Sequence, residues 1–286
     1  MQKKIDTVNT LIDAFPFIKM FRDQIVVIKY GGAAQIDPNL KDKFAKDIAF
    51  LYLLGLKPVI VHGGGKRIND ILEKLNIETS FIEGQRVTSR ENMEVVEMVL
   101  SGSINKEIAS LLNHHGAKAI GISGKDANFI KATPKDEKKF GFTGTITEVE
   151  SKIVHDLLND GFIPVIAPIA TSQNAGEPGF NINADLAASK IAVAIGARKV
   201  MFLTDTLGVL DKDKKLLSTL NQTQVEALKV DGTIQGGMIP KVDACLEAID
   251  GGVKKAHIID GRIEHSILLE LFTSEGIGTV IKKEVK

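Results

Sequence analysis

Four consecutive β-branched residues, Ile25 to Ile28, run into Lys29 and then into Gly31-Gly32, and this junction constrains the rest of the chain. The run is too short for an isolated helix, so it reads as a strand buried on both faces, as in a parallel sheet. A lysine seldom enters such an element unpaired. The glycines behind it let the backbone turn tightly and aim N–H groups at an anion. In open α/β sheets ligands gather at the carboxyl ends of strands, which is where this Lys-x-Gly-Gly falls. Taken alone, the pattern fits equally well a lysine that buries its stem and exposes its head beside a turn.

The same grammar repeats along the chain. Lys57 to Val61 is a second buried strand, entering His62-Gly63-Gly64-Gly65 and then a helix with Ile68, Ile71, Leu72 and Leu75 on one side. Asp37-Pro38 starts a helix that runs to Gly55. Phe81 to Val87 reads as a hairpin, with helices from about Glu91 to Leu100 and from Ile104 to His114. Ala117 to Ile122, Phe162 to Ile166, Lys199 to Leu203, Ala256 to Ile259 and Gly278 to Ile281 are further strands. Helices fall at Ser151 to Asn159, from Asp185 to Ile195, and at Asn221 to Lys229, Met238 to Ile249 and Ser266 to Phe272. The lysine-rich stretch Thr133 to Gly144 reads as an exposed, mobile hairpin or loop. Before the first strand, Ile5, Val8, Leu11, Ile12 and Phe15 follow helical spacing, and Pro16 is expected to break or kink that helix. Strands alternating with helices imply an α/β fold with a mostly parallel sheet covered on both faces, and a boundary near Gly196.

Composition narrows the partners. Lys and Arg total 36 against 36 Asp and Glu, so no net field draws the chain to nucleic acid or an anionic membrane. The single Cys245 sits at core spacing with Val242, Leu246 and Ile249, and no Cys/His cage suggests a metal site. No apolar run reaches the ~18 residues of a membrane span, and the N-terminus does not read as a signal peptide. The expectation is a cytoplasmic protein with a small-molecule partner.

Two glycine loops at strand ends, converging on one rim if their strands are neighbours, suit a ligand with several anionic oxygens. HGGGKR is not the G-x-G-x-x-G of a dinucleotide fold, and neither Gly236-Gly237 nor Gly64-Gly65-Lys66 makes a Walker A loop. Lys241, at the start of a helix after Gly236-Gly237, is a cation where the helix dipole is already positive, so it wants an anion. Asp185 lies in the first turn of its helix behind Asn183, where dipole chemistry alone also favours an acid.

IKYGG, VIVHGGGKRIN, GQRVT, NINADLAA, LTDTLGVL and GGMIPKV, in this order and spanning nearly the whole chain, resemble the acetylglutamate kinases of the amino acid kinase family, and the N-terminal helix together with the run AHIIDGRIEHSILLELFTSEGIGTVI from Ala256 resembles their arginine-sensitive branch. The resemblance implies a three-layer αβα sandwich. An N-terminal helix (1–23) would serve oligomerisation, residues 24–196 would form a lobe for the acyl amino acid and dimerisation, and residues 197–286 a lobe for ATP and an arginine effector. It implies ATP with Mg²⁺ and transfer of the γ-phosphoryl group to N-acetyl-L-glutamate. By motif match, Lys29 and Lys241 would flank the transferring phosphoryl group and Asp185 would hold them. Gly64, Gly65, Arg86 and Asn181 would bind substrate. Gly31, Gly32, Thr204, Asp205, Thr206, Leu207, Gly208, Val209, Thr233, Ile234 and Gln235 would bind the nucleotide. No protein residue is assigned to a metal, and His62 reads as structural.

The alternatives within the fold are kinases of carbamate, aspartate, glutamate or a nucleoside monophosphate; outside it, a non-catalytic amino-acid sensor. The resemblance also implies L-arginine binding at His257, Glu270 and Gly276, and a homodimer assembling to a homohexamer through the apolar stripe of the N-terminal helix.

Overall fold

The computed structural model describes residues 1–174 and 176–283. The side chains at positions 7, 10 and 11 lie outside that description, so the Leu11 member of the N-terminal stripe does too. In chain order the elements are α1 (Gln2–Phe21), β1 (Ile25–Tyr30), α2 (Pro38–Leu53), β2 (Lys57–His62), α3 (Gly65–Lys74), β3 (Ser80–Ile82), β4 (Gln85–Val87), α4 (Arg90–Glu97), α5 (Asn105–His114), β5 (Ala119–Ser123), β6 (Ile130–Pro134), α6 (Glu137–Phe140), β7 (Gly144–Val149), α7 (Lys152–Asn159), β8 (Ile163–Ala167), β9 (Ile169–Ser172), β10 (Phe180–Asn181), α8 (Ala184–Ala194), β11 (Lys199–Thr204), β12 (Thr219–Leu220), α9 (Gln222–Val230), α10 (Ile239–Asp250), β13 (Lys255–Asp260), α11 (Ser266–Phe272) and β14 (Thr279–Ile281).

The main sheet has eight strands in the order β12-β14-β13-β11-β1-β2-β8-β5. From β13 to β5 every pair is parallel, and β14 turns antiparallel against β13. The alternation within β1 decides the layers. Val27 packs with Ala187, Ile191, Val242 and Cys245 on the side of α8 and α10. Val26 and Ile28 pack with Phe44, Ile48 and Leu112 on the side of α2 and α5. This is the expected three-layer sandwich. The sheet does not break at Gly196, because β11, which follows it, pairs directly with β1. Since Tyr30 pairs with His62 and Thr204 with Asp260, the loops after β1, β2, β11 and β13 meet on one rim.

Three local expectations are sharpened or corrected. Of the break or kink expected at Pro16, the break does not occur: helix α1 runs for 20 residues through it, anchored by Phe17 and Phe21 edge-on to Phe272. Its stripe residues Ile5, Val8, Ile12 and Phe15 remain exposed. Helices α4 and α5 are not separate either. A π-helical turn, Met98–Ile104, joins them, with the Asn105 N–H reaching back to the Leu100 carbonyl. The wide turn absorbs Ser101-Gly102-Ser103 without a break. It stacks Leu100 and Ile104 on Gly64, where a Cβ would lie only 2.6 and 2.5 Å from their methyl groups. Finally, residues 133–144 do form a hairpin of β6 and β7, but its tip is not all exposed, because Phe140 and Thr143 are buried.

Candidate active site

Each strand end on the common rim delivers one part of a site. Lys29 lies buried in β1, one residue before its end, beneath the loop Gly31-Gly32. A Cβ on Gly31 would come within 2.9 Å of the Lys29 Nζ, so the bare glycine leaves room for the lysine head. Asp185 is set in the first turn of α8 by the Asn183 cap, whose side chain accepts from the Asp185 and Leu186 N–H groups. Lys241 enters from the first turn of α10 behind Pro240.

These three side chains meet. Lys29 Nζ lies 3.0 Å from Asp185 Oδ1 as an ion pair, and Lys241 Nζ donates to Oδ2, also at 3.0 Å. Burial alone would push the Asp185 carboxyl up, but the two ammonium groups hold it below its ordinary value. One carboxylate therefore fixes two cations, which leaves a net positive centre facing the rim.

Beside this centre a cleft of about 180 Å³ is lined by Gly64, Gly65, Arg86, Leu100, Thr143 and Asn181, among others. Arg86 is buried, with Nη1 donating to Thr79 Oγ1 at 2.6 Å, Nη2 to Asn69 Oδ1 at 2.6 Å, and its guanidinium 4.7 Å from the Phe81 ring centre. Burial depresses its pKa from the ordinary arginine value. A larger cavity of about 500 Å³ opens beside the same glycine loops, floored by Tyr30 and Phe44. Its lining joins apolar side chains to Lys29, Lys66 and Asp205, and its cluster Lys41–Glu107–Arg67 is self-paired, whereas the smaller cleft holds Arg86 and Asn181.

The loop after β11 crosses the other flank. Asp205 Oδ1 accepts from the Ala33 N–H at 2.7 Å, which ties this loop to the first glycine loop. Gly32 needs its positive φ of 69° there, and a Cβ would strike the same carboxylate. The Thr206 N–H donates to Thr204 Oγ1, and the Val209 N–H donates to Thr279 Oγ1, with Gly208 pressed against that threonine. Leu207 is exposed. Ile234 is buried between Thr233 and Gln235, next to the start of α10. Of the residues expected to hold the nucleotide, Gly32 and Asp205 thus meet after β1, Thr204 ends β11, Gly208 and Val209 pack on Thr279, and Thr233 to Gln235 precede the helix that carries Lys241.

His62 is not placed for proton transfer. Nδ1–H donates to the Gly63 carbonyl, Nε2 accepts from Asn105, and burial pushes its pKa down to about 4. The folded protein therefore binds fewer protons than the unfolded chain between about pH 4 and 6.5, so stability rises with pH across that window. His62→Gln is expected to flatten this slope by up to about one proton, read from urea midpoints at pH 5 and pH 7. An unchanged slope would mean that His62 is protonated in the fold.

On the far side of the sheet, His257 Nδ1 lies 2.6 Å from Glu270 Oε1, and Glu270 Oε2 accepts the Ile277 and Gly278 N–H groups. Gly276 closes the turn at φ 65°, against Glu270. His257 Nε2 is buried without a hydrogen-bond partner among the described residues. Lys199, which the sequence did not single out, completes this cluster. It is 8% exposed, stacks 4.7 Å from the Phe21 ring centre, and burial together with Lys255 depresses it to about 8. Its only sequence signal is a lysine opening an otherwise apolar strand.

Among the described residues no group of three or more His, Cys, Asp or Glu is arranged to hold a metal ion, and no helix is long and apolar enough to cross a membrane.

A family model described as the amino acid kinase family matches residues 24–260. The acetylglutamate kinase of Nitratiruptor sp. is 68% identical over 281 residues, 98% of this chain and 99% of that protein. The acetylglutamate kinase of Sulfurimonas denitrificans is likewise 68% identical, with the same coverage. Among solved structures, N-acetylglutamate synthase from Neisseria gonorrhoeae, complexed with coenzyme A and N-acetyl-glutamate, superposes with a TM-score of 0.86 at 26% identity. It covers 98% of this chain, which spans 64% of that protein. Carbamate kinase from Giardia shares the fold, with a TM-score of 0.68 at 19% identity, covering 91% of this chain and 99% of that one. With more than half of its length matched by the family model and full-length relatives above 60% identity, this chain belongs to the amino acid kinase family.

Proposed function

We propose that this chain transfers the γ-phosphoryl group of ATP to the γ-carboxylate of N-acetyl-L-glutamate, giving N-acetylglutamyl 5-phosphate in arginine biosynthesis. The observation that carries the reading is the pair of lysines held on one buried carboxylate, beside a cleft containing a buried arginine and an asparagine. Phosphoryl transfer is mostly positioning and charge neutralisation, so two fixed cations with loop N–H groups can supply its main needs. In this reading Lys29 and Lys241 stabilise charge on the moving group, and Asp185 keeps them apart and aimed. The acceptor carboxylate is already ionised at pH 7, with an ordinary pKa of about 4.3, so no general base is required. That agrees with the neutral, enclosed His62.

Arg86 takes the α-carboxylate, Asn181 the acylated end, and the glycine loops the phosphates. The segments 204–209 and 233–235 hold the nucleotide. A divalent ion, Mg²⁺, would ride on the nucleotide phosphates and add to their neutralisation. ATP consumption measured against N-acetylglutamate, glutamate, aspartate, carbamate and UMP tests the assignment. N-Acetylglutamate is expected to be strongly preferred, and equal turnover of free glutamate would sink it. Arg86→Lys is expected to raise KM for N-acetylglutamate by on the order of 10²-fold with little change in KM for ATP, because a lysine cannot reproduce the fork. An unchanged KM would remove Arg86 from the site.

Regulation forms the finer part of the proposal. The cluster His257, Glu270 and Gly276 supplies a buried carboxylate and turn backbone suited to a guanidinium or α-amino group, so L-arginine is the proposed effector. The exposed stripe Ile5, Val8, Ile12 and Phe15 on α1 is a surface for a second copy of α1, joining dimers into a hexamer. The division into lobes 24–196 and 197–286 and a cytoplasmic location belong to the same reading. Removing residues 1–23 is expected to leave an active dimer with a weakened response to arginine. An intact protein that sediments as a dimer, or ignores millimolar arginine, would end the regulatory reading alone.

A further inference from the structure

We infer that Thr88 and Thr143 fix which way round the Asn181 carboxamide sits, and that this orientation makes the cleft select an N-acylated amino acid. The inference rests on the acetylglutamate reading and assigns roles to two residues, Thr88 at the end of GQRVT and Thr143 outside every motif, that the sequence left without one.

Both hydroxyls are shut away from water, at 0% and 4% exposure. Thr143 Oγ1 lies 2.5 Å from the Arg86 carbonyl oxygen, which can only accept, so the Thr143 hydroxyl proton points there. Thr88 Oγ1 is 2.9 Å from Thr143 Oγ1. Because the proton on Thr143 is already committed, Thr88 must be the donor in that pair. The Thr88 oxygen then has only lone pairs to offer Asn181, 3.1 Å away, so the carboxamide must present its Nδ2 to Thr88. The O/N assignment of this amide, usually ambiguous, follows here from the direction of the chain. Oδ1 is turned away from Thr88. It has no hydrogen-bond partner among the described residues, and Asn181 lines the cleft.

The chain stands on rigid backbone. The Thr88 N–H donates to Phe140, the Phe142 N–H to Thr88, and the Asn181 N–H to Phe142, at 3.0, 2.7 and 2.9 Å. Gly141, at φ 59°, allows this approach, since a Cβ there would lie 2.4 Å from the Thr88 carbonyl oxygen. The hydroxyl chain also ends on Arg86 itself, so both ends of the proposed substrate are registered to one another.

An acceptor oxygen held toward the cleft matches the single N–H of a secondary amide. The flipped carboxamide would set donor against donor and leave both unpaired. A free ammonium could also donate to Oδ1, but it would bring a second full charge to a lining that contains Arg86 and, among the described residues, neither Asp nor Glu. The polarity of Asn181 and the absence of an acid together specify acylation. Thr88 and Thr143 are thus positioning residues, acting through Asn181.

The test compares N-acetyl-L-glutamate with its ester isostere, 2-acetoxyglutarate, which has the same outline but no N–H. Wild-type enzyme is expected to prefer the amide by on the order of 10²-fold in kcat/KM. Thr88→Val removes the oxygen that holds Nδ2 while keeping the side-chain outline, and the preference should fall to roughly tenfold or less with KM for ATP unmoved. Thr88→Ser should restore it. Thr143→Val frees the Thr88 hydroxyl to turn and donate to Asn181, so it should relax the preference without touching that asparagine; thermal melts report whether each variant is folded. Equal losses for amide and ester would show mere structural support and overturn the proposal, as would a wild-type preference near one. Wild-type enzyme that leaves N-acetylglutamate untouched takes down the functional reading and the proposal with it, whereas the amide-to-ester ratio takes down the proposal alone.

Discussion

Lys29→Ala and Lys241→Ala are each expected to turn over 10² to 10³ times more slowly than wild type, roughly the scale for losing one preorganised charge stabiliser. The loss should fall on kcat, because both ammonium groups converge on Asp185 and not on the Arg86 cleft that is proposed to bind the acceptor. The double variant should lose less than the product of the two, since the lysines share one carboxylate and are coupled through it. Steady-state kinetics with saturating N-acetylglutamate check this. Near-normal kcat in either single variant would reduce that lysine to a structural partner of Asp185.

Asp185→Asn should cost both activity and stability. Asp185 is buried against two cations, and neutralising it leaves Lys29 and Lys241 facing each other without an anion. Breaking a buried pair costs about 3 to 5 kcal/mol, and the lower figure applies here because Lys241 can still reach water. The pH dependence identifies the cause. Lys29 and Lys241 outweigh burial and hold the folded-state pKa of Asp185 below its unfolded value, so its contribution is complete above the unfolded carboxylate range near pH 4. That contribution is lost as pH falls through the lower folded value. Wild type and Asp185→Asn should therefore differ most at neutral pH and converge in strong acid. A stability gap that stays constant down to pH 2 would mean that packing, not charge, is responsible.

Much of this was legible because the signals are local. A β-branched run ending in Lys29 and glycines, an Asn183 cap ahead of Asp185, and a proline one residue before Lys241 each carry their geometry within a few residues. What spacing could not show is that the three side chains meet, since parallel pairing brings together segments far apart in the chain. Their roles came from the resemblance, not from composition. The π turn was missed because i→i+5 bonding has no compositional mark, and Ser101-Gly102-Ser103 looks like an interruption. Thr143 was hidden in a lysine-rich stretch that reads as solvated. It is buried because Thr88 and Asn181, both distant in sequence, close over it. The proposed effector residues gave no hint of Lys199, whose burial depends on Phe21 at the end of α1 packing against it.

The π turn between α4 and α5 also works as a phase shifter. Each residue advances a regular α-helix by about 100°, so one residue taken up in a wider turn rotates everything beyond it by that angle relative to an unbroken helix. Before the turn, the helix presents Asn92 to the Glu78 carbonyl. After it, Asn105 reaches under the strand ends to the Val165 carbonyl and the ring of His62. A regular helix of the same length could satisfy one of these appointments but not both. Straightening the helix without removing a residue would thus leave it locally more ideal while swinging Asn105 out of the core, which places the timing of the two ends of a single helix among the things this site depends on.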